Sequence, residues 1–428
     1  MASGAPIRSV LTRLVVLVGL ALCTVPSKAN AEAKLHLEIV SPHWEGMRYE
    51  IATGFNRYRR ERGEPTVEIN WLDVGGTSDI LRFVNSEFKR SPQGIGVDLV
   101  YGGGIDPFME LKKARLLTPI SETAFEGLDR SQQVAGNPLH DPEREFASAV
   151  VSTFGILCNR TLLLKRAMPQ PKSWSDLADP RFATWLSLGD PRRSGSNHLM
   201  FEVFLQGFGW ERGWEFIGRI SSYARVILPS SPQVGRDVVN GEAACGLQID
   251  SHATAQIAQF GAERLTFTIP LDLPVMNGDG VAILRGAPNS ELAQAFVQYL
   301  LSEAGQRRIY LRRGVPGGPE KFDLARVPIR PELLKAGLPS TVTTDPFAAA
   351  GTMKYDPALG ARRWNIVNDL ARVFLIDRVT KPNQPFSMPV PEAMVEKLAQ
   401  SEIWKTPQER LKVIASWRKL HSNGDRTP

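Results

Sequence analysis

The chain has 428 residues, of which 43% are hydrophobic and 22% charged, with a formal net charge of +6. That length allows two substantial cores. A surplus this mild, with Lys and Arg interspersed among Asp and Glu, argues for solubility and against a nucleic-acid partner.

At the amino terminus Arg8 and Arg13 precede an apolar run, Leu14 to Leu22, and then Ala29-Asn30-Ala31. A basic end, a short greasy core and an A-x-A site together predict a cleavable secretory signal peptide over residues 1–31. The run is shorter than the roughly 20 residues a bilayer span needs. Leu22 precedes Cys23 where a lipid-anchored cysteine would follow a small residue, so a soluble periplasmic protein is expected. The other cysteines, Cys158 and Cys245, both lie in apolar strand-like runs. A disulfide and two buried thiols are open alternatives, and neither cysteine has zinc-site spacing. No later run is long enough to span a membrane.

Leu35 to Val40 alternates like a strand and ends at Ser41-Pro42-His43-Trp44. Met47 to Arg60 has apolar residues at helical intervals, Val67 to Trp71 is a second strand, and Gly75-Gly76-Thr77-Ser78-Asp79 opens a helix through Ile80, Leu81, Val84 and Phe88. Val97 to Tyr101 then runs into Gly102-Gly103-Gly104. This alternation predicts a parallel α/β sheet with its loops at the strand carboxyl ends, where ligands sit. A long extended run from Ala147 to Asn159 reads as a crossing into a second α/β unit, and Phe267 to Pro270 as the way back. Asn277 to Leu284 is a further strand of the first unit, followed by a helix from Ser290 to Arg312. The expected organisation is a first lobe of residues 32–147 and 270–331, a second lobe of 148–269, and a mostly helical C-terminal extension of 332–428 that can pack on either lobe. In the extension, Ala361 to Leu375 and Thr406 to His421 are read as helices.

The stretch Ser187 to His198 carries the clearest chemistry. A strand-like approach breaks at Asp190-Pro191, and Ser194-Gly195-Ser196-Asn197 leads into an amphipathic helix. The free N–H groups and dipole of such a helix start suit an anion, with Arg192 or Arg193 adding charge. The competing reading is an ordinary N-cap.

With these features the chain resembles bacterial extracellular solute-binding proteins of ABC importers, in the two-lobed type II periplasmic-binding fold. The nearest branch holds ferric-ion-, phosphonate-, phosphosugar- and thiamine-binding proteins. The resemblance rests on Val97 to Gly104, the Ser194-Gly195-Ser196 helix start, Val239 to Ala244 before a strand, and Asp279 to Asn289, covering roughly Leu35 to Pro319. It implies a hinged receptor, not an enzyme, that closes on a small anionic solute (a phosphonate, phosphate ester or carboxylate, with an amine or hydroxyls allowed) and delivers it to a membrane permease. A monomer without cofactor is expected, and the chain has no G-x-x-x-x-G-K loop. Ligand contacts are expected from His43, Trp44, Thr77, Ser78, Gly103, Gly104, Ser194, Gly195, Ser196, Asn197 and Asp250. Ferric relatives use a His, a Glu and a Tyr pair. Here His43 occupies the first position, Gly103 or Gly104 the second, and Asp250-Ser251-His252-Ala253 the third, so phenolate ligation of Fe³⁺ is not expected, a ferric-ion receptor is the alternative reading, and His43 and His252 are the remaining metal candidates. Some relatives on this fold are enzymes that use a cleft cysteine or acid residues, for which Cys158, with His198 near the anion loop, is the candidate; a receptor for a two-component sensor would use the same cleft as a transport receptor.

Overall fold

Strand alternation sorts the first lobe's core into two layers. Leu37, Ile39, Leu99 and Tyr101 face one apolar cluster with Ile51 and Phe55, while Val40 and Val100 face another with Val84, Phe108 and Leu111. The structure is a computed structural model and describes residues 35–342, 345, 347, 352–377, 386–401, 403–404 and 406–424. The expected signal peptide lies outside the described residues. Among them no helix is long and apolar enough to cross a membrane.

Leu35–Val40 pairs in parallel with both Val67–Leu72 and Leu99–Tyr101, as the alternation of elements requires. Met276–Leu284 then adds antiparallel to Leu99–Tyr101, and Ala147–Asn159 antiparallel to Met276–Leu284. The sheet is therefore mixed where a parallel one was expected, because the chain leaves the first lobe and re-enters it in opposite directions. All 13 residues of Ala147–Asn159 are buried. Its first half pairs within lobe one. Its second half is flanked by Cys245–Ile249 and Leu265–Thr268 of lobe two. From Cys245–Ile249 the second sheet continues in parallel through Leu186–Gly189 to Ala224–Leu228. One strand thus forms the spine of both sheets.

Cys158 and Cys245 stand opposite each other on adjacent strands, their Cα atoms 4.1 Å apart, and form a disulfide. This decides between the two alternatives the sequence left open, and it removes Cys158 as a free nucleophile. Closing a loop between residues 87 apart in sequence stabilises the native state by about 2–4 kcal/mol in the chain-entropy view.

The helix expected from Ser290 to Arg312 is two helices, Ser290–Leu301 and Glu303–Tyr310. Ser302 breaks it: extended in backbone, it accepts the Gly305 N–H on its hydroxyl at 3.2 Å and so caps the second helix. The extension contains Pro357–Ala371, followed by a wider turn over Arg372–Ile376, then Glu392–Gln400 and Pro407–Gly424. It joins the core of the second lobe, where Ile366, Val367, Leu370 and Trp417 cluster with Trp214 and Phe204. Trp364, on the same helix, belongs instead to a first-lobe cluster with Phe108 and Leu111. The extension therefore packs on both lobes.

Candidate ligand-binding site

Five helices begin at one cavity of about 430 Å³. Glu45–Arg60 and Thr77–Arg90 come from the first lobe; Gly195–Gly207, Ser231–Asn240 and Asp250–Phe260 come from the second. Each brings its first residues to the wall, so the partial positive charge of each N-terminus points toward one space. Among the described residues, no protein acceptor bonds the backbone N–H groups of Thr77, Gly195 or Ser196. Ser194 is the N-cap of its helix, yet its hydroxyl also meets that of Ser196 at 3.1 Å. Capping and an anion-facing turn coexist here.

The two lobes touch across this cavity. A methyl group added at Gly76 would lie 1.5 Å from the carbonyl oxygen of Arg193, and one added at Gly195 would lie 2.4 Å from Thr77 Oγ1. Only residues without a side chain let the facing loops come this close. The lobes are closed on each other.

Acids and bases on the wall are mostly matched. Asp73 meets Arg48 at 3.3 Å, and Asp79 pairs with Arg82 and accepts the Gly76 N–H at 3.2 Å. Asp279 is the most engaged. Its Oδ1 accepts the Gly103 and Gly104 N–H groups at 2.7 and 3.2 Å, and its Oδ2 meets His43 Nε2 at 3.2 Å and Arg326 Nη2 at 2.7 Å. Burial alone would raise the Asp279 carboxyl; the bond and charge of His43, then Arg326 and the Gly104 N–H, overcome burial and hold it below the usual carboxylate range. Arg326 also donates to Ser251 Oγ at 2.7 Å and Ser152 Oγ at 2.8 Å. One guanidinium thus ties together both lobes and the spine strand. Arg193, at the cavity mouth, has no acidic partner among the described residues. Arg192, the other cation expected there, is turned away and held by Asp190 at 2.6 Å. The apolar part of the wall includes Trp44, Met47, Phe154, Leu199 and Trp364.

Of the residues expected at the site, His43, Trp44, Thr77, Gly103, Gly104, Ser194, Gly195 and Ser196 line the cavity, and so does His252. Three do not line it. Ser78 Oγ accepts the Trp364 indole N–H at 2.9 Å. Asn197 is fully buried and bonds the Gly189 N–H at 3.1 Å and Ser194 Oγ at 2.9 Å. Asp250 accepts the Thr153 and Ser251 N–H groups at 2.8 and 2.6 Å, which anchors its helix to the spine strand. Gly103 and Gly104 reach the wall, but their N–H groups are committed to Asp279. Positive φ at Gly102, Gly103 and Gly104 (100°, 109°, 86°) is what turns the chain so that two successive N–H groups meet one oxygen. Trp44 stands at the start of its helix without a side-chain capping bond and meets Phe322 edge-on at 5.3 Å.

Arg326, Asp279 and Trp364 were not read as site residues. The signal for Arg326 was an arginine set between Leu324-Ala325 and Val327-Pro328, since a cation in a buried run requires partners. For Asp279 it was a carboxylate between two glycines in an apolar strand.

For a metal, His43 is poorly placed, because its Nδ1 meets Ser41 Oγ at 3.0 Å while Nε2 meets Asp279. Burial first, then the charges of Arg326 and His43, push His252 down to about 3, so it is neutral. Among the described residues the one group of three metal-type ligands within reach of each other is Asp141, Glu143 and Glu145, where the Lys112 ammonium already sits 2.6 Å from Asp141.

A two-lobed α/β molecule whose helix N-termini converge on an interlobe cavity has the build of a periplasmic binding protein. Residues 97–328, more than half of the chain, match the family model for bacterial extracellular solute-binding proteins, and the chain belongs to that family. It is 34% identical over 160 residues to the phosphoglycerate transport regulatory protein PgtC of Salmonella typhimurium, a match covering 37% of this chain and 39% of that protein. Thus the chain spans well under half the length of that relative. Solved structures similar in fold include AfuA from Actinobacillus pleuropneumoniae with fructose-6-phosphate bound, with a TM-score of 0.62 and 19% identity over 79% of this chain and 97% of that one. Iron-bound HitA from Pseudomonas aeruginosa is likewise similar, with a TM-score of 0.60 and 19% identity over 78% and 98% of the two chains.

Proposed function

We propose that this protein is the periplasmic receptor of an ABC importer and closes on a small phosphorylated organic anion, which it delivers to a membrane permease. The observation that carries this reading is the pair of unpaired N–H groups at Gly195 and Ser196, facing Thr77 across the cavity with Arg193 beside them. A phosphate accepts several such bonds at once, and a charge-assisted bond is roughly twice as strong as a neutral one. A cavity of about 430 Å³ suits a compact metabolite. The relatives named for phosphoglycerate transport and solved with fructose-6-phosphate point to the same ligand chemistry. Export is supported by the disulfide, which persists in oxidising compartments. Domain closure is then the state the permease reads. The ferric alternative lacks support at Asp250 to Ala253, where no tyrosine stands, and at His43, whose ring nitrogens are both engaged. The word "regulatory" in the name of PgtC favours a second reading, a receptor that presents the same closed form to a sensor protein.

Thermal unfolding with D-3-phosphoglycerate tests the ligand class. A ligand at 100 times its Kd stabilises the native state by about 2.7 kcal/mol. We expect such a shift for the native chain, and binding about 10-fold to 100-fold weaker in Arg193→Ala with Ser196→Ala, which leave the Ser194 cap in place. Stabilisation by Fe³⁺ but by no phosphate ester would overturn the reading.

A further inference from the structure

We propose that the C-terminal extension is a working part of the solute site: the helix Pro357–Ala371 forms one wall of the cavity with Trp364 and, bonded to the cleft helices of both lobes, holds the lobes shut. The proposal rests on the reading of the cavity as the solute site, but its test needs no solute. The helix lies beyond the family-matched residues 97–328.

On the second lobe the helix is held firmly. Arg363 forms a buried ion pair with Glu202 at 2.8 Å and is braced from within the extension by Glu392 at 2.6 Å. Asn368 Oδ1 meets His198 Nδ1 at 2.9 Å, and the Asp356 N–H donates to Gln206 Oε1 at 2.8 Å. Glu202, His198 and Gln206 all belong to Gly195–Gly207, the helix whose start faces the cavity. Ile366, Val367 and Leu370 add apolar contact.

On the first lobe the helix packs against Asp106–Lys113, and its polar attachments reach Ser78, Asp106 and Asn137. Trp364 Nε1 donates to Ser78 Oγ in the first turn of the facing helix. The Tyr355 hydroxyl donates to Asp106, and Asn137 Nδ2 donates to the Tyr355 carbonyl at 2.7 Å. The Trp364 ring lies 3.7 Å from the His198 ring and lines the cavity, so the same side chain touches the solute space and both cleft helices. The lobes cannot part without breaking either these first-lobe bonds or those to Gly195–Gly207. These bonds form on closure and favour it, whether or not a solute is present.

Spin labels on Lys89→Cys and Glu215→Cys, both exposed and one on each lobe, report the lobe separation by pulsed electron resonance. Without added solute, the labelled chain is expected to give one short distance. Trp364→Phe with Tyr355→Phe removes both donors while keeping the rings, and is expected to add a second, longer distance. Ser78→Ala, which removes only the acceptor, serves the same end if the double variant does not fold. A long distance in the parent chain, or an unchanged single distance in the variants, would overturn the clasp. A longer distance in the variants together with no phosphate-ester binding would leave the clasp standing and reject the ligand class instead.

Discussion

Gly76→Ala is expected to weaken D-3-phosphoglycerate binding at least 100-fold, a loss of about 2.7 kcal/mol read by titration calorimetry. The glycine has ordinary extended backbone (φ −79°, ψ 180°), so alanine costs nothing within its own lobe. The cost arises only when the lobes close, because the new methyl would sit 1.5 Å from the Arg193 carbonyl oxygen. Neither side of that contact is a flexible side-chain end; both are backbone at helix starts. The lobes must stop short of full closure, which separates the Thr77 turn from the Gly195 turn and leaves an anion held by one of them. Unchanged affinity would mean that the two loops do not meet in the bound state.

Arg326→Met is expected to lower the melting temperature of the ligand-free protein by about 3–5 °C, corresponding to a loss on the order of 3 kcal/mol. Arg326 is 5% exposed and its guanidinium satisfies Asp279 together with Ser152 and Ser251. Without it a buried carboxylate keeps only His43 and two N–H groups, and the two hydroxyls lose their donor. Removing one partner of a buried pair costs more than removing both. Asp279→Asn added to Arg326→Met should therefore recover part of the loss, a sign a double-mutant cycle reads directly. Additive losses would show that the two groups do not interact.

Much of the architecture was legible because the local signals are strong. The strands Leu35–Val40 and Val67–Leu72, the long crossing Ala147–Asn159 and the Ser194 cap follow from alternation, helical spacing and capping chemistry. What was not legible depends on contacts between distant residues. The Gly102 to Gly104 turn was read as offering donors to a ligand, yet the Gly103 and Gly104 N–H groups meet Asp279, 176 and 175 residues away in sequence, and the Gly102 N–H meets the Gly280 carbonyl. Ser78, Asn197 and Asp250 have the side chains a ligand would want, and each serves the protein instead: Ser78 holds the extension, Asn197 fastens a strand end, and Asp250 fixes a helix to the spine. A polar residue at a helix start carries the same local signature in either role. The disulfide needed the strand register, which composition does not supply. The extension read as helical but carried no sign that one turn of it, with Arg363 and Trp364 adjacent, would bond to different lobes.

The charged end of the solute is expected at the start of Gly195–Gly207. A crystal structure of the complex with D-3-phosphoglycerate is predicted to place phosphate oxygens about 3 Å from the Gly195 and Ser196 backbone nitrogens, with the first lobe contacting the same molecule through the Thr77 turn. A phosphate bound elsewhere, or held by one lobe with the Gly195 turn open to bulk water, would contradict it.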